Sequence, residues 1–239
     1  MVDRTTPSRA SRLTVIAVTL AVMAGALISA ASDGRADDAS RETDIEIGLA
    51  IFGEIERVCY CDDFLKRTRR DTTIRVSPKL HERTLSAESL RDHPYLIITG
   101  DRRFSWNHSQ REALRDYWRG GGFVLASAAC GTRSWAESFR REVRAIHPDA
   151  GFRKLPEDHP IYDLIYDLRA QRSTERETGD TALPPLEALY LDGRLAALLC
   201  TRGLNDTDKA GEDCCCCGGR EYAFAEQLNV NILAYALTH

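Results

Sequence analysis

Thiols carry the most distinctive chemistry in this sequence. Cys130-Gly131 stands between an apolar run, 123–129, and a helical pattern that opens near Ser134. A thiol just ahead of a helix amino terminus sits in partial positive charge, which favours the nucleophilic thiolate. Such a nucleophile needs a base and a group to orient that base. His159, with Asp158 or Asp163 close by in sequence, is the candidate; a histidine ahead of Pro160 equally suits a cap or a packing role. Cys130, His159 and Asp158 are therefore the catalytic candidates. A second set of thiols has ligand spacing. Cys59 and Cys61 form C-x-C, and Cys214 and Cys217, the ends of a run of four, have the C-x-x-C spacing that closes around zinc. The four together supply thiolates for zinc or an iron-sulfur cluster; in an oxidising compartment the same residues form disulfides instead, and free thiols are the third reading. Last, Asp101-Arg102-Arg103 follows Gly100 and offers charge to an anionic ligand, or simply forms a solvated loop. The chain has no phosphate-binding P-loop, dinucleotide fingerprint or serine elbow.

The elements that must position these groups follow from pattern. Tyr95-Leu-Ile-Ile-Thr99, closed by Gly100, is a continuous apolar run that suits a strand covered on both faces. A capping-box pattern at Ser109 and Glu112 then opens a helix with Leu114, Tyr117 and Trp118 on one face, stopped by Gly120-Gly121-Gly122. The run 123–129 is the next strand, which makes a βαβ unit with Cys130 at its end. A second box, Ser134 to Glu137, opens a helix striped by Trp135, Phe139, Val143 and Ile146. Upstream, Ile45, Ile47, Leu49 and Ile51 alternate with other residues as a strand that Gly53 ends. A short strand at 58–60 would turn Cys59 and Cys61 to one side. A helix from Asp62, a strand at 73–76 ahead of Pro78 and a short helix at 86–91 come next. Downstream lie a strand at 152–155, a mixed apolar stretch at 161–168 and an exposed polar loop at 169–183. A hairpin then turns at Asp192-Gly193, a pair suited to the positive φ values of a type I′ turn. Tyr222, Phe224, Leu228, Val230, Ile232, Leu233, Tyr235 and Leu237 mark a buried final helix. Alternating strands and helices predict a three-layer α/β sandwich with a mainly parallel central sheet and one late antiparallel hairpin. Ligands of such sheets bind at the carboxyl ends of the strands.

At 239 residues the chain suits one domain, here 44–239, behind a leader at 1–36. Arg4, Arg9 and Arg12 precede 19 uncharged residues, 13–31, and small residues at Ser29, Ala30, Ala31, Gly34 and Ala36 offer cleavage sites. This is a secretory signal, or, if uncleaved, an anchor long enough to cross a bilayer of ~30 Å. The net charge is −4. Cleavage after Ala36 removes four arginines and two acids, leaving 28 basic against 34 acidic residues and a mature charge of −6. That balance excludes a nucleic-acid footprint and leaves membrane contact to 13–31 alone. The expected partner is a small molecule or an envelope protein, bound without an identifiable reaction.

The segments Pro94-Tyr-Leu-Ile-Ile-Thr-Gly100, Arg115-Asp-Tyr-Trp-Arg-Gly-Gly-Gly-Phe123, Ser138-Phe-Arg-Arg-Glu142, Asp158-His-Pro-Ile161 and Leu228-Asn-Val-Asn-Ile232 together resemble the bacterial domain of unknown function family 4159, over about two thirds of the chain. The resemblance implies a flavodoxin-like sandwich similar to class I glutamine amidotransferases, in proteins often exported or membrane-associated. Enzymes of that fold carry a nucleophilic cysteine on an elbow of the form G-x-C-x-G, but here Ala128 and Thr132 stand in place of both glycines, which favours a structural Cys130. If the leader is an export signal, fractionation with amino-terminal sequencing will find a mature protein beginning near Ser32 or Asp37 outside the cytoplasm. A full-length cytosolic product would exclude it.

Overall fold

The computed structural model describes residues 44–53, 60–129, 132–171, 183–205, 222 and 224–239. The leader and the expected strand at 58–59 fall outside these residues. Among the described residues no helix is long and apolar enough to cross a membrane.

Residues 45–239 form one compact unit around a seven-stranded sheet of order β2-β1-β3-β4-β7-β6-β5. The strands are β1 (Ile45–Ile51), β2 (Val76–Glu82), β3 (Tyr95–Gly100), β4 (Phe123–Ala128), β5 (Arg153–Lys154), β6 (Leu186–Leu191) and β7 (Arg194–Cys200). β1, β2, β3, β4 and β7 run parallel, while β6 pairs antiparallel with both β7 and β5. Every residue of β3 and β4 is buried, as expected of runs lacking polar alternation. One core lies between the sheet and helices α1 (Asp63–Asp71) and α6 (Ala225–Thr238), through Ile47, Leu49, Phe64, Leu65, Leu228 and Ile232. A second lies under α2 (Ala87–Leu90), α3 (His108–Arg119) and α4 (Arg133–Ile146), through Leu90, Leu96, Ile98, Leu114, Val124 and Phe139. The sandwich therefore has three layers. The crossover from β1 through α1 covers one face and the crossover from β3 through α3 covers the other, so the order reverses between β1 and β3. In open α/β sheets that switch point leaves a crevice outside the strands' carboxyl ends.

Several local expectations shift. The third helix is capped by Asn107, whose side chain accepts from Gln110 N–H while Gln110 answers the Asn107 N–H; Ser109 only donates to Asn107 Oδ1. The fourth starts at Arg133 behind Thr132, whose hydroxyl donates to Ala129 O instead of capping. Glu137 pairs with Arg133, so the expected box at Ser134 does not form. β2 runs through Pro78 instead of ending before it, which an edge strand tolerates because one flank of its backbone is not paired. Tyr60 lies outside any strand. A short helix, α5 (Leu168–Gln171), occupies the start of the segment expected to be loop; 172–182 lie outside the described residues. The stretch before it resolves into a 3-10 turn, Pro160–Tyr162. The hairpin forms as expected, with φ of 51° at Asp192 and 79° at Gly193.

The apolar final helix holds two buried asparagines. Asn231 Oδ1 accepts from the N–H groups of Ile165 and Tyr166, and its Nδ2 donates to the carbonyls of Ile161 and Tyr166. One amide thus replaces secondary structure for a whole turn region. Asn231→Leu, close in volume, strands those four backbone groups and is expected to cost about 3 kcal/mol or more in urea denaturation. A loss below about 1 kcal/mol would contradict this accounting.

Candidate functional site

The carboxyl edge of the sheet is tied together by side chains too short to reach far. Thr99 Oγ1, at the end of β3, donates to Ser127 O on β4 at 2.7 Å. Ser127 Oγ donates to Asn205 Oδ1 at 2.7 Å and accepts from Leu204 N–H at 2.8 Å. Asn205 O accepts from Cys61 N–H at 2.9 Å; Asn229 on α6 donates to Leu204 O and accepts from Tyr60 OH. The connections after β1, β4 and β7 therefore begin or end on one buried hydrogen-bonded floor.

Beside it lie the carboxyl ends of β1 and β3, where the strand order reverses. Phe52 N–H bonds Thr99 O at 2.8 Å, and the Trp135 indole N–H bonds Phe52 O at 2.9 Å. This approach is possible only because residue 100 is glycine: a Cβ there would lie 1.6 Å from Phe52 O. Gly53 follows with φ of 140°, and a Cβ on it would meet Asp101 Oδ1 at 2.5 Å. Asp101 is 8% exposed. Its Oδ2 lies 3.5 Å from Arg102 Nε, but its Oδ1 is buried and accepts no hydrogen bond. A buried carboxyl oxygen left without a donor is costly unless something supplies one. Arg102 and Arg103 are exposed, and of the three charges expected to act together Arg102 stays paired with the buried Asp101.

Phe52, Phe104, Trp106, Trp135 and Phe139 pack as an aromatic cluster at the edge of the second core, with ring centroids 5.4 to 5.8 Å apart in successive pairs. Phe104 N–H bonds Ser138 Oγ, and its carbonyl accepts from Arg141. Trp106 is 2% exposed, and its Nε1–H has no acceptor. Sequence reasoning reached Asp101 but not Phe52, Phe104 or Trp106. The alternation Phe104-x-Trp106 just before a helix cap was the available signal.

Cys130 and Gly131 lie outside the described residues. Their neighbours are buried Ala129 and Thr132, and Ala129 O accepts from Thr132 N–H and Oγ1. His159 caps the 3-10 turn, with Nδ1 accepting from Ile161 N–H, and its ring rests 5.0 Å from that of Tyr235. Tyr235 is six residues beyond Asn229 on α6, about 9 Å further from the carboxyl edge. Asp158 is exposed and Asp163 is paired with Arg169. His159 is thus committed to structure away from the end of β4. Cys59, Cys214 and Cys217 also lie outside the described residues. Cys61 is half-buried in the β1–α1 connection, and Cys200, at the end of β7, is buried. Among the described residues no group of three His, Cys, Asp or Glu is placed to hold a metal ion.

At the opposite edge a cavity of about 450 Å³ is lined by His93, Pro94, Tyr117 and the three glycines before β4. His93 Nε2 accepts from Arg83 Nε–H, and its buried Nδ1 lies 3.8 Å from Glu46.

The fold is a three-layer α/β sandwich whose strand order reverses between β1 and β3. Within it, the family model described as Domain of unknown function (DUF4159) matches residues 59–237, and the chain belongs to that family. No curated protein matches it.

Burial holds the imidazoles of His93, His147 and His159 below their ordinary value of 6.5. The unfolded chain then binds more protons than the fold below that pH, so stability is expected to fall as pH drops from about 6.5 to 5 and to be level in this respect above it. Urea midpoints across that range check this; a midpoint that rises on acidification would refute it.

Proposed function

We propose that this is an exported domain of the cell envelope that binds a small ligand or partner in the β1/β3 crevice. The observation that carries the reading is Asp101 Oδ1, a buried carboxylate oxygen with no donor at the strand-order reversal. The leader pattern at 1–36 supports the export half of the proposal. The strand order and late antiparallel pair support a fold similar to class I glutamine amidotransferases. Binding is preferred to cysteine catalysis because His159, the base proposed for Cys130, spends its Nδ1 on Ile161 and its ring face on Tyr235.

A site kept open for a ligand stores unfavourable free energy in the empty protein. Asp101→Asn removes the buried charge at nearly constant shape and is expected to stabilise the empty protein by about 1 kcal/mol, or roughly 2–4 °C in Tm. A fall in Tm would mean that Asp101 serves the fold, and would remove the basis of the reading.

A further inference from the structure

We infer that the cavity at the amino edge of the sheet is a second binding site, separate from the β1/β3 end, and that it takes a zwitterion with an apolar substituent: a free amino acid or a short peptide with open termini. The cavity, about 450 Å³, lies between the last turns of α2 and α3 and the loops that enter β3 and β4. That volume is within the range of ~300–1,000 Å³ common for small-ligand sites. Leu90, Ala113, Pro94 and the ring of Tyr117 give it an apolar lining. The polar groups of that lining are already used. Tyr117 OH donates to Phe123 O at 3.0 Å, and Pro94 O accepts from Phe123 N–H. The N–H groups of Gly120, Gly121 and Gly122 are spent on the carbonyls of Asp116, Trp118 and Tyr117.

Recognition therefore falls to the rim, where charges of both signs stand. Arg91, Asp92 and Asp116 line the cavity and are exposed. Among the described residues neither the Arg91 nor the Asp92 side chain has an ion-pair or hydrogen-bond partner. Asp116 is met by Arg119 on its own helix, 3.4 Å away and itself exposed, a pairing that costs little to exchange. The carboxyl terminus of α3 adds its partial negative charge beside Asp116. His93, also in the lining, is held below its ordinary pKa by burial and by Arg83, so it adds no charge near pH 7. An anion alone would meet two carboxylates and a helix end of its own sign, and a cation alone would leave Arg91 unanswered beside it. A molecule that carries an ammonium and a carboxylate answers both signs, and its apolar substituent covers the lining. Among the described residues no group of three His, Cys, Asp or Glu is placed to hold a metal ion instead.

The test titrates the full chain with L-phenylalanine, L-leucine and L-leucyl-L-leucine, followed by thermal shift and equilibrium dialysis. At least one is expected to bind saturably with Kd on the order of 1 mM. Acetylating the amino group of that probe removes its positive charge and amidating its carboxyl removes the negative one; each change is expected to weaken binding about fivefold, the upper worth of an exposed ion pair. Arg91→Gln and Asp92→Asn, at surface positions, should weaken the unmodified probe by a similar factor. Arg91→Gln should also cease to distinguish the amidated probe from the free acid, which ties the carboxylate to that side chain. Asp101→Asn should leave binding unchanged, which separates this site from the β1/β3 end. A preference for the dipeptide marks a peptide ligand and a preference for a single residue marks a free amino acid; both support the inference. No saturable binding by any of the three overturns it, as does binding that is indifferent to acetylation and amidation or to both rim variants.

Discussion

The mutual satisfaction of Thr99, Ser127 and Asn205 is the constraint on which the carboxyl edge depends. Three side chains from β3, β4 and the segment after β7 are fully buried, and each spends its hydrogen bonds on the others or on nearby backbone. Removing any one leaves its partners unpaired in a dry interior, where the penalty for a missing partner exceeds the gain from making it. The network therefore fixes where three connections leave the sheet. With Asn229 and Tyr60 it also fixes how the final helix meets that edge.

The same connections carry nearly all the cysteines. Cys59 and Cys61 follow β1, Cys130 follows β4, Cys200 closes β7, and the run 214–217 lies between β7 and α6. Of these, the described Cys61 lies in the connection after β1 and Cys200 ends β7. Parallel strands produce this result, because each crossover returns the chain to the same edge. Cys200, at the end of β7, shares the carboxyl edge with Asp101.

Much of the fold was legible in the sequence because its signals were strong and local. Continuous apolar runs announced β3 and β4, and Asp192-Gly193 announced the hairpin through the one backbone geometry that pair favours. Where two signals competed, the reading slipped. Ser109 and Ser134 both looked like caps, but Asn107 lay earlier with a better partner at Gln110, and Thr132 gave its hydroxyl to Ala129. Pro78 was read as the end of a strand because sequence does not say which strand lies at an edge. The site was half legible. Asp101 stood out by its place after a strand, but its burial against Gly53 depends on which way Gly100 and Gly53 let the backbone turn. The packing of Phe52 on Phe104 and Trp106 required β1 and β3 to be neighbours, a long-range fact. His159 was singled out by chemical type; the Tyr235 ring that occupies it is 76 positions away.

The two margins of the sheet have a consequence of their own. One is β2, with Pro78 in place of an amide donor and a largely exposed row of polar side chains; the other is β5, two charged residues long. Neither offers another polypeptide a ladder to extend, and such blunting suppresses edge-to-edge association of folded copies. A binding partner is correspondingly denied strand addition as a mode of attachment. On the proposed binding function, recognition falls to side chains and loop backbone at the ends of the strands.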